Sequence, residues 1–205
     1  MDKNKKNSFK DITVLVTGAE GFIGSHLCSR LVDEGARVAA LVRPGADLHR
    51  LAGLEAIISI DPVDIRKPES VREYVTALRP RKIFHLAAVT DRDRCWESLS
   101  LNLEVNLEGT VNLLAALGSI EYEIMIAAGT AEAYGRNPAP FREDMAPDPI
   151  SPYSYSKAAA TSFCRMASAS LGASVRILRL FLVYGPGQNE DLFLPALITA
   201  ALKKE

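Results

Sequence analysis

Six short runs rich in Val, Ile, Leu and Ala occupy residues 12–16, 37–42, 56–60, 82–86, 123–128 and 174–180, and helical periodicity fills 22–33, 70–78, 99–117 and 152–171. The runs do not alternate apolar with polar residues, so each predicts a strand covered on both faces. Strands of that kind, alternating with helices, build right-handed βαβ units and a doubly wound parallel sheet of the α/β class. The 205 residues suit one domain with a substantial core. Loops are expected at 137–149, which holds four prolines, and at 184–189. A final apolar stretch at 192–202 reads as a helix in want of a partner.

Composition narrows the function. The net charge of -1 gives no sign of a nucleic acid or an anionic membrane as partner. No apolar run approaches the roughly 20 residues that span a bilayer. The run after the lysine-bearing start is too short for a signal peptide, so residues 1–11 read as a solvated tail and the cytoplasm is the expected location. Cys28, Cys95 and Cys164 are widely spaced, which suits a reducing compartment and offers no metal-ligand pair.

Thr17-Gly-Ala-Glu-Gly-Phe-Ile-Gly24 follows the first strand directly and opens the first helix. Gly18 permits a tight turn, Gly21 lets backbone N–H groups approach a pyrophosphate, and Gly24 lets the helix pack closely on the sheet. The spacing is Gly-x-x-Gly-x-x-Gly rather than Gly-x-Gly-x-x-Gly, and the plain alternative is a turn that only joins strand to helix. The second strand ends Ala40-Leu41-Val42-Arg43-Pro44, without the acid that would bind the adenosine ribose of NAD. Arg43, with Arg50 assisting, is expected to take the 2′-phosphate of NADP; the alternative is a solvated loop arginine. Asp64 reads equally as an acceptor for the adenine amino group or as an acid at a helix start.

Tyr153 lies four residues ahead of Lys157, behind Ser151 and Pro152, which suit an N-cap and a first helical position. The pair therefore shares one helix face. A phenol ionises near ~10, and a neighbouring ammonium lowers that value enough for acid/base work near neutrality. The alternative is an amphipathic helix with an interfacial tyrosine. Thr130, after the fifth strand, is the natural hydroxyl to orient a reacting oxygen, and Glu132 is either a general base or a loop charge.

These motifs, with Phe84-His-Leu-Ala-Ala88, the segment from Asn106 to Leu114, and Arg179-Leu-Phe-Leu-Val-Tyr-Gly-Pro-Gly187, make the sequence resemble the extended short-chain dehydrogenase/reductases, in their nucleotide-sugar epimerase/dehydratase branch. The resemblance runs from Ile12 to the C-terminus. It implies a Rossmann-like fold with Tyr153 as acid/base, Lys157 as its modulator and Thr130 on the reacting oxygen. Phe22, Ile23, Ile65, Leu86, Ala87 and Ala88 would line the cofactor path. Asn106 would be a structural helix residue, and His85 a strand residue under the site rather than a metal ligand. It also implies a homodimer through the helices at 101–117 and 153–171. Ala131 stands where TDP-glucose 4,6-dehydratases carry the aspartate that protonates the leaving hydroxyl, which argues against that elimination. Leu182 stands where the family often has Asn. Members usually continue into a C-terminal substrate domain, so residues 12–190 are expected to form the cofactor domain and 191–205 the start of an incomplete substrate-binding part.

The expected activity is NADP- or NAD-dependent oxidoreduction or epimerisation of a nucleotide-diphosphate sugar, with a 4-keto reductase or an epimerase favoured. The alternatives are a reductase of small carbonyl compounds, and a truncated cofactor-binding module without turnover.

Overall fold

The structure, a computed structural model, describes residues 9–90 and 93–203. The lysine-bearing start of the expected tail lies outside the described residues. Six strands form one sheet: β1 (Thr13–Thr17), β2 (Arg37–Val42), β3 (Ser59–Pro62), β4 (Lys82–His85), β5 (Ile124–Thr130) and β6 (Val175–Leu180). Their order is β3-β2-β1-β4-β5-β6 and each neighbouring pair is parallel. This is the expected Rossmann-like doubly wound sheet, and its order reverses between β1 and β4. At such a switch point the flanking connections leave on opposite faces and open a crevice at the carboxyl ends of the strands.

The unalternating strands have a direct explanation in the two halves of the core. Val14, Val16, Val38, Ala40 and Val42 pack with Cys28 and Leu31 of helix α1 (Phe22–Asp33). Leu15, Ala39, Leu41, Ile83 and Met125 point the other way. There they meet Val71 and Val75 of α2 (Pro68–Leu78), Leu113 and Leu117 of α4 (Gly109–Leu117), and Cys164 of α5 (Pro152–Ser170). Each large aliphatic side chain so buried contributes about 1.5–3 kcal/mol.

Helix boundaries follow local chemistry. Ser151 caps α5 in a reciprocal box with Ser154, with Pro152 in the first turn, as expected. The single helix expected at 99–117 begins earlier, as α3 (Trp96–Asn102), because Cys95 Sγ accepts the Ser98 N–H and caps it. It then passes through a π-helical turn, Leu103–Glu108, before α4. The third strand also lies later than the expected 56–60. Residues 51–58 are wound into consecutive turns in which both Ile57 and Ile58 donate to the Leu54 carbonyl, so pairing with β2 starts only at Ser59. Pro62 is tolerated because β3 is an edge strand.

The expected C-terminal helix is α6 (Phe193–Lys203), and none of its residues is buried. Beside it Phe181, Leu182, Val183 and Tyr184 also stand exposed.

Candidate active site

Gly18 leaves β1 at φ +69°, and a Cβ there would lie 2.7 Å from the Ala87 nitrogen. The turn can thus fit against the chain leaving β4 only with glycine at this position. Gly24 carries α1 so close to the turn that a Cβ would strike the Gly18 carbonyl. Gly21 is different: a Cβ would meet only that carbonyl, at 3.2 Å. It is the N-cap of α1 and no side chain caps the helix, so the first N–H groups keep their capacity for an anion.

These residues line a cleft of about 740 Å³ at the carboxyl ends of the strands. Its walls bring together Gly18, Gly21, Phe22, Ile23, Gly24, Leu86 and Ala88 on one side with Thr130, Glu132, Tyr153 and Lys157 on the other. All four residues expected to carry chemistry therefore share one cleft with the glycine turn. An uncapped helix start, a glycine in place of a side chain, and room for an extended ligand together fit a dinucleotide.

Lys157 is only 5% exposed, and burial pushes its amine down to about 8. At neutral pH it still carries its charge, one helical turn from Tyr153. Thr130 ends β5, and its Oγ1 accepts the Glu132 N–H at 3.2 Å, which begins the short 3₁₀ turn Ala131–Tyr134. That turn is anchored by Tyr134, whose ring stacks on Phe141 at 4.7 Å between centroids and receives the Arg179 guanidinium at 4.7 Å.

A buried polar network ties the two walls together. Asn106, in the π-helical turn, accepts the Val89 N–H at 2.9 Å and donates to the Val89 carbonyl and to Ser156 Oγ. Ser156 donates in turn to the Tyr153 carbonyl at 2.8 Å. Asn106 therefore clamps the loop after β4 to the first turn of α5. His85 lies beneath, between Thr17 Oγ1 at 2.8 Å and Thr110 Oγ1 at 2.9 Å. Because Thr110 gives its proton to the Asn106 carbonyl, His85 Nε2 must be the donor to Thr110, which leaves Nδ1 to accept from Thr17. Burial, and then the Lys157 charge, push the His85 pKa down to about 3 and keep the ring neutral.

Four expected contacts fall outside this cleft. Ile65 is buried in the core against Gly109. Ala87 stands behind the wall, its N–H donating to Thr17 Oγ1. Asp64 grips Arg66 through both carboxylate oxygens and its backbone N–H, and the guanidinium holds its carboxyl below the usual range. Arg43 is exposed at the end of β2. Arg50 lines a separate cavity, where its Nε donates to the Gly187 carbonyl at 3.0 Å.

Sequence reasoning missed two polar residues. Gln188 lines the cleft with its Oε1 buried and unpartnered. Glu20, inside the glycine turn, accepts the Arg43 N–H on Oε1 at 3.1 Å, while its Oε2 is shielded and unpartnered. Glu20 occupies a position the glycine spacing leaves open, so the spacing gives no reason to single it out.

Comparison with known proteins agrees with this fold. A model of the NAD dependent epimerase/dehydratase family matches residues 14–205. UDP-glucuronate 4-epimerase 4 of Arabidopsis thaliana is 34% identical over 191 residues, covering 88% of this chain and 44% of that protein. An uncharacterized UDP-glucose epimerase of Bacillus subtilis (strain 168) is 29% identical over 199 residues, covering 94% and 63%. Among solved structures, the Thermus thermophilus UDP-glucose 4-epimerase complex with NAD has a TM-score of 0.79 and 35% identity, over 87% of this chain and 58% of that one. The Bacillus cereus UDP-glucuronic acid 4-epimerase in complex with NAD has a TM-score of 0.80 and 26% identity, over 95% and 64%. The chain thus spans less than two thirds of the length of these relatives. It belongs to the NAD dependent epimerase/dehydratase family.

Proposed function

We propose that this chain carries the cofactor-binding and acid/base machinery of an enzyme that oxidises, reduces or epimerises a nucleotide-diphosphate sugar, with a 4-keto reductase or an epimerase favoured. The observation that supports this reading is the convergence of Tyr153, Lys157 and Thr130 on one cleft with the uncapped start of α1. Relatives named as acting on UDP-glucose and UDP-glucuronate point to the same substrate class. A bound nicotinamide supplies the hydride acceptor or donor. Lys157 holds a positive charge beside Tyr153, which stabilises the phenolate so that Tyr153 exchanges a proton with the sugar hydroxyl. In this reading Thr130 keeps its own hydroxyl proton to donate to the reacting oxygen, and Glu132, which lines the same cleft, is the auxiliary base. Ala131 leaves the dehydratase elimination without its acid. The NADP preference expected from the sequence rests on the absence of an acid at the end of β2 and on Arg43. Residues 12–190 form the cofactor domain in this reading, 191–205 begin the substrate-binding part, and the protein works in the cytoplasm as a homodimer in which α4 and α5 meet their counterparts.

Replacing Tyr153 by Phe is expected to abolish turnover of sugar nucleotides, by at least ~100-fold, while cofactor titration is unchanged. Undiminished turnover would sink the proposal. A second reading, reduction of small apolar carbonyl compounds, draws on the apolar cleft wall of Phe181, Leu182, Val183 and Phe193. A panel of sugar nucleotides against small ketones separates the two.

A further inference from the structure

We propose that Glu20 selects the cofactor, and that it selects NAD over NADP; this rests on the dinucleotide reading of the cleft. In a doubly wound sheet the adenosine ribose lies at the carboxyl tip of β2, where an acid accepts from both hydroxyls. β2 ends at Val42 and offers no acid there. The carboxylate arrives instead from the glycine turn. The Gly18 N–H donates to the Leu41 carbonyl at 3.0 Å, which draws the turn against the end of β2. Glu20 Oε1 accepts the Arg43 N–H at 3.1 Å, which sets the carboxylate on the first residue beyond the strand. Its position is therefore that of the missing acid, although its sequence position is not.

Two features favour a ligand hydroxyl as its further partner. Oε2 is shielded from water with no donor in reach, and a carboxylate oxygen in that state costs free energy until a donor arrives. Rotation about the terminal carboxylate torsion is soft, so either oxygen can be turned to a ribose hydroxyl. The same negative charge repels the 2′-phosphate of NADP. Arg43 attracts that phosphate, but its exposed side chain forms no ion pair among the described residues and must lose its freedom to clamp the ligand. The carboxylate is already held by a backbone bond, so the fixed charge outweighs the mobile one.

A purely structural role, clasping the turn to β2, would weaken both cofactors alike if disturbed, so the ratio of affinities is the decisive readout. The 205-residue chain is titrated with NADH and with NADPH by fluorescence, as wild type, Glu20→Gln, Glu20→Ser and Arg43→Ala. Glu20→Gln keeps an acceptor for the Arg43 N–H, and Glu20→Ser removes the carboxylate with less bulk. The wild type is expected to bind NADH about 10-fold or more tighter than NADPH, and both Glu20 variants to narrow that ratio by about 10-fold, with Arg43→Ala weakening NADPH alone. A wild-type preference for NADPH, or a ratio that neither Glu20 variant moves, overturns the assignment and leaves the dinucleotide reading intact. Binding of neither cofactor overturns both.

Discussion

At the residue scale, the proposed chemistry asks Lys157 to hold a charge that burial makes costly to the fold. Its ammonium is buried, with a folded pKa of about 8 against an ordinary 10.5. Below pH 8 the amine is protonated in both folded and unfolded chains, and the folded state bears the whole desolvation penalty, roughly 3 kcal/mol. Between pH 8 and 10.5 the unfolded chain holds the proton and the folded one does not, so the penalty shrinks and stability rises with pH. Lys157→Met, which keeps the bulk and removes the charge, is expected to raise stability at pH 7 by about 1–3 kcal/mol and to flatten that rise, while abolishing turnover. Urea midpoints of the two proteins between pH 7 and 10.5 check this; a variant less stable at pH 7 would contradict it. The positive charge beside Tyr153 is therefore expected to be kept for chemistry at a cost to the fold.

At the element scale, the glycine turn separates two requirements that look alike in sequence. Gly18 is demanded by the fold itself, through its positive φ and its approach to the Ala87 nitrogen. Gly18→Ala is expected to destabilise the chain by about 2–4 kcal/mol. Gly21 meets only one carbonyl oxygen of its own turn, and its φ of -74° suits any residue. Gly21→Ala is expected to cost no more than about 1 kcal/mol, yet to weaken NADH or NADPH by at least ~10-fold, because its methyl group would stand where the pyrophosphate must approach. Thermal melts paired with cofactor titrations of both variants decide the point. Equal loss of stability in the two would mean that the turn is structural throughout. The π-helical turn is a second element of this kind, since it brings Asn106 to bridge Val89 and Ser156.

At the scale of the whole molecule, the cleft draws its walls from the glycine turn, α1, the chain after β4, β5, α5, the chain after β6 and the start of α6, so a dinucleotide would join segments far apart in sequence. A ligand that binds only the folded state at 100 times its Kd adds about 2.7 kcal/mol. For a chain of this size that corresponds to a rise in Tm of about 5–10 °C, readable by thermal shift with saturating NADH or NADPH. No shift with either cofactor would count against the dinucleotide reading of the cleft. The exposed Phe181, Leu182, Phe193 and Leu197 form an apolar end beside the same cleft.

Much of this architecture could be read before any coordinates. Five of the six strands were legible because burial on both faces demands unbroken apolar runs, and Ser151-Pro152 marks the start of α5 because a hydroxyl cap and a proline serve that position and few others. Gly18, Gly21, Tyr153 and Lys157 could be singled out for the same kind of reason, since backbone reach and proton transfer admit few residue types at fixed spacing, and all four line one cleft. The sixth, β3, was legible as a strand but not in its bounds, because Ala56 and Ile57 have strand-like composition but are wound into turns by hydrogen bonds to Leu54. Nor were Arg50, turned away to Gly187, Asp64, taken by Arg66, or Glu20, delivered to the tip of a strand it does not follow in the chain. The sequence by itself determined which residues can do chemistry and the order of the layers that carry them. Only the tertiary structure decided which charges remain available, because a long polar side chain settles on whichever donor or acceptor the packed fold brings within about 3 Å.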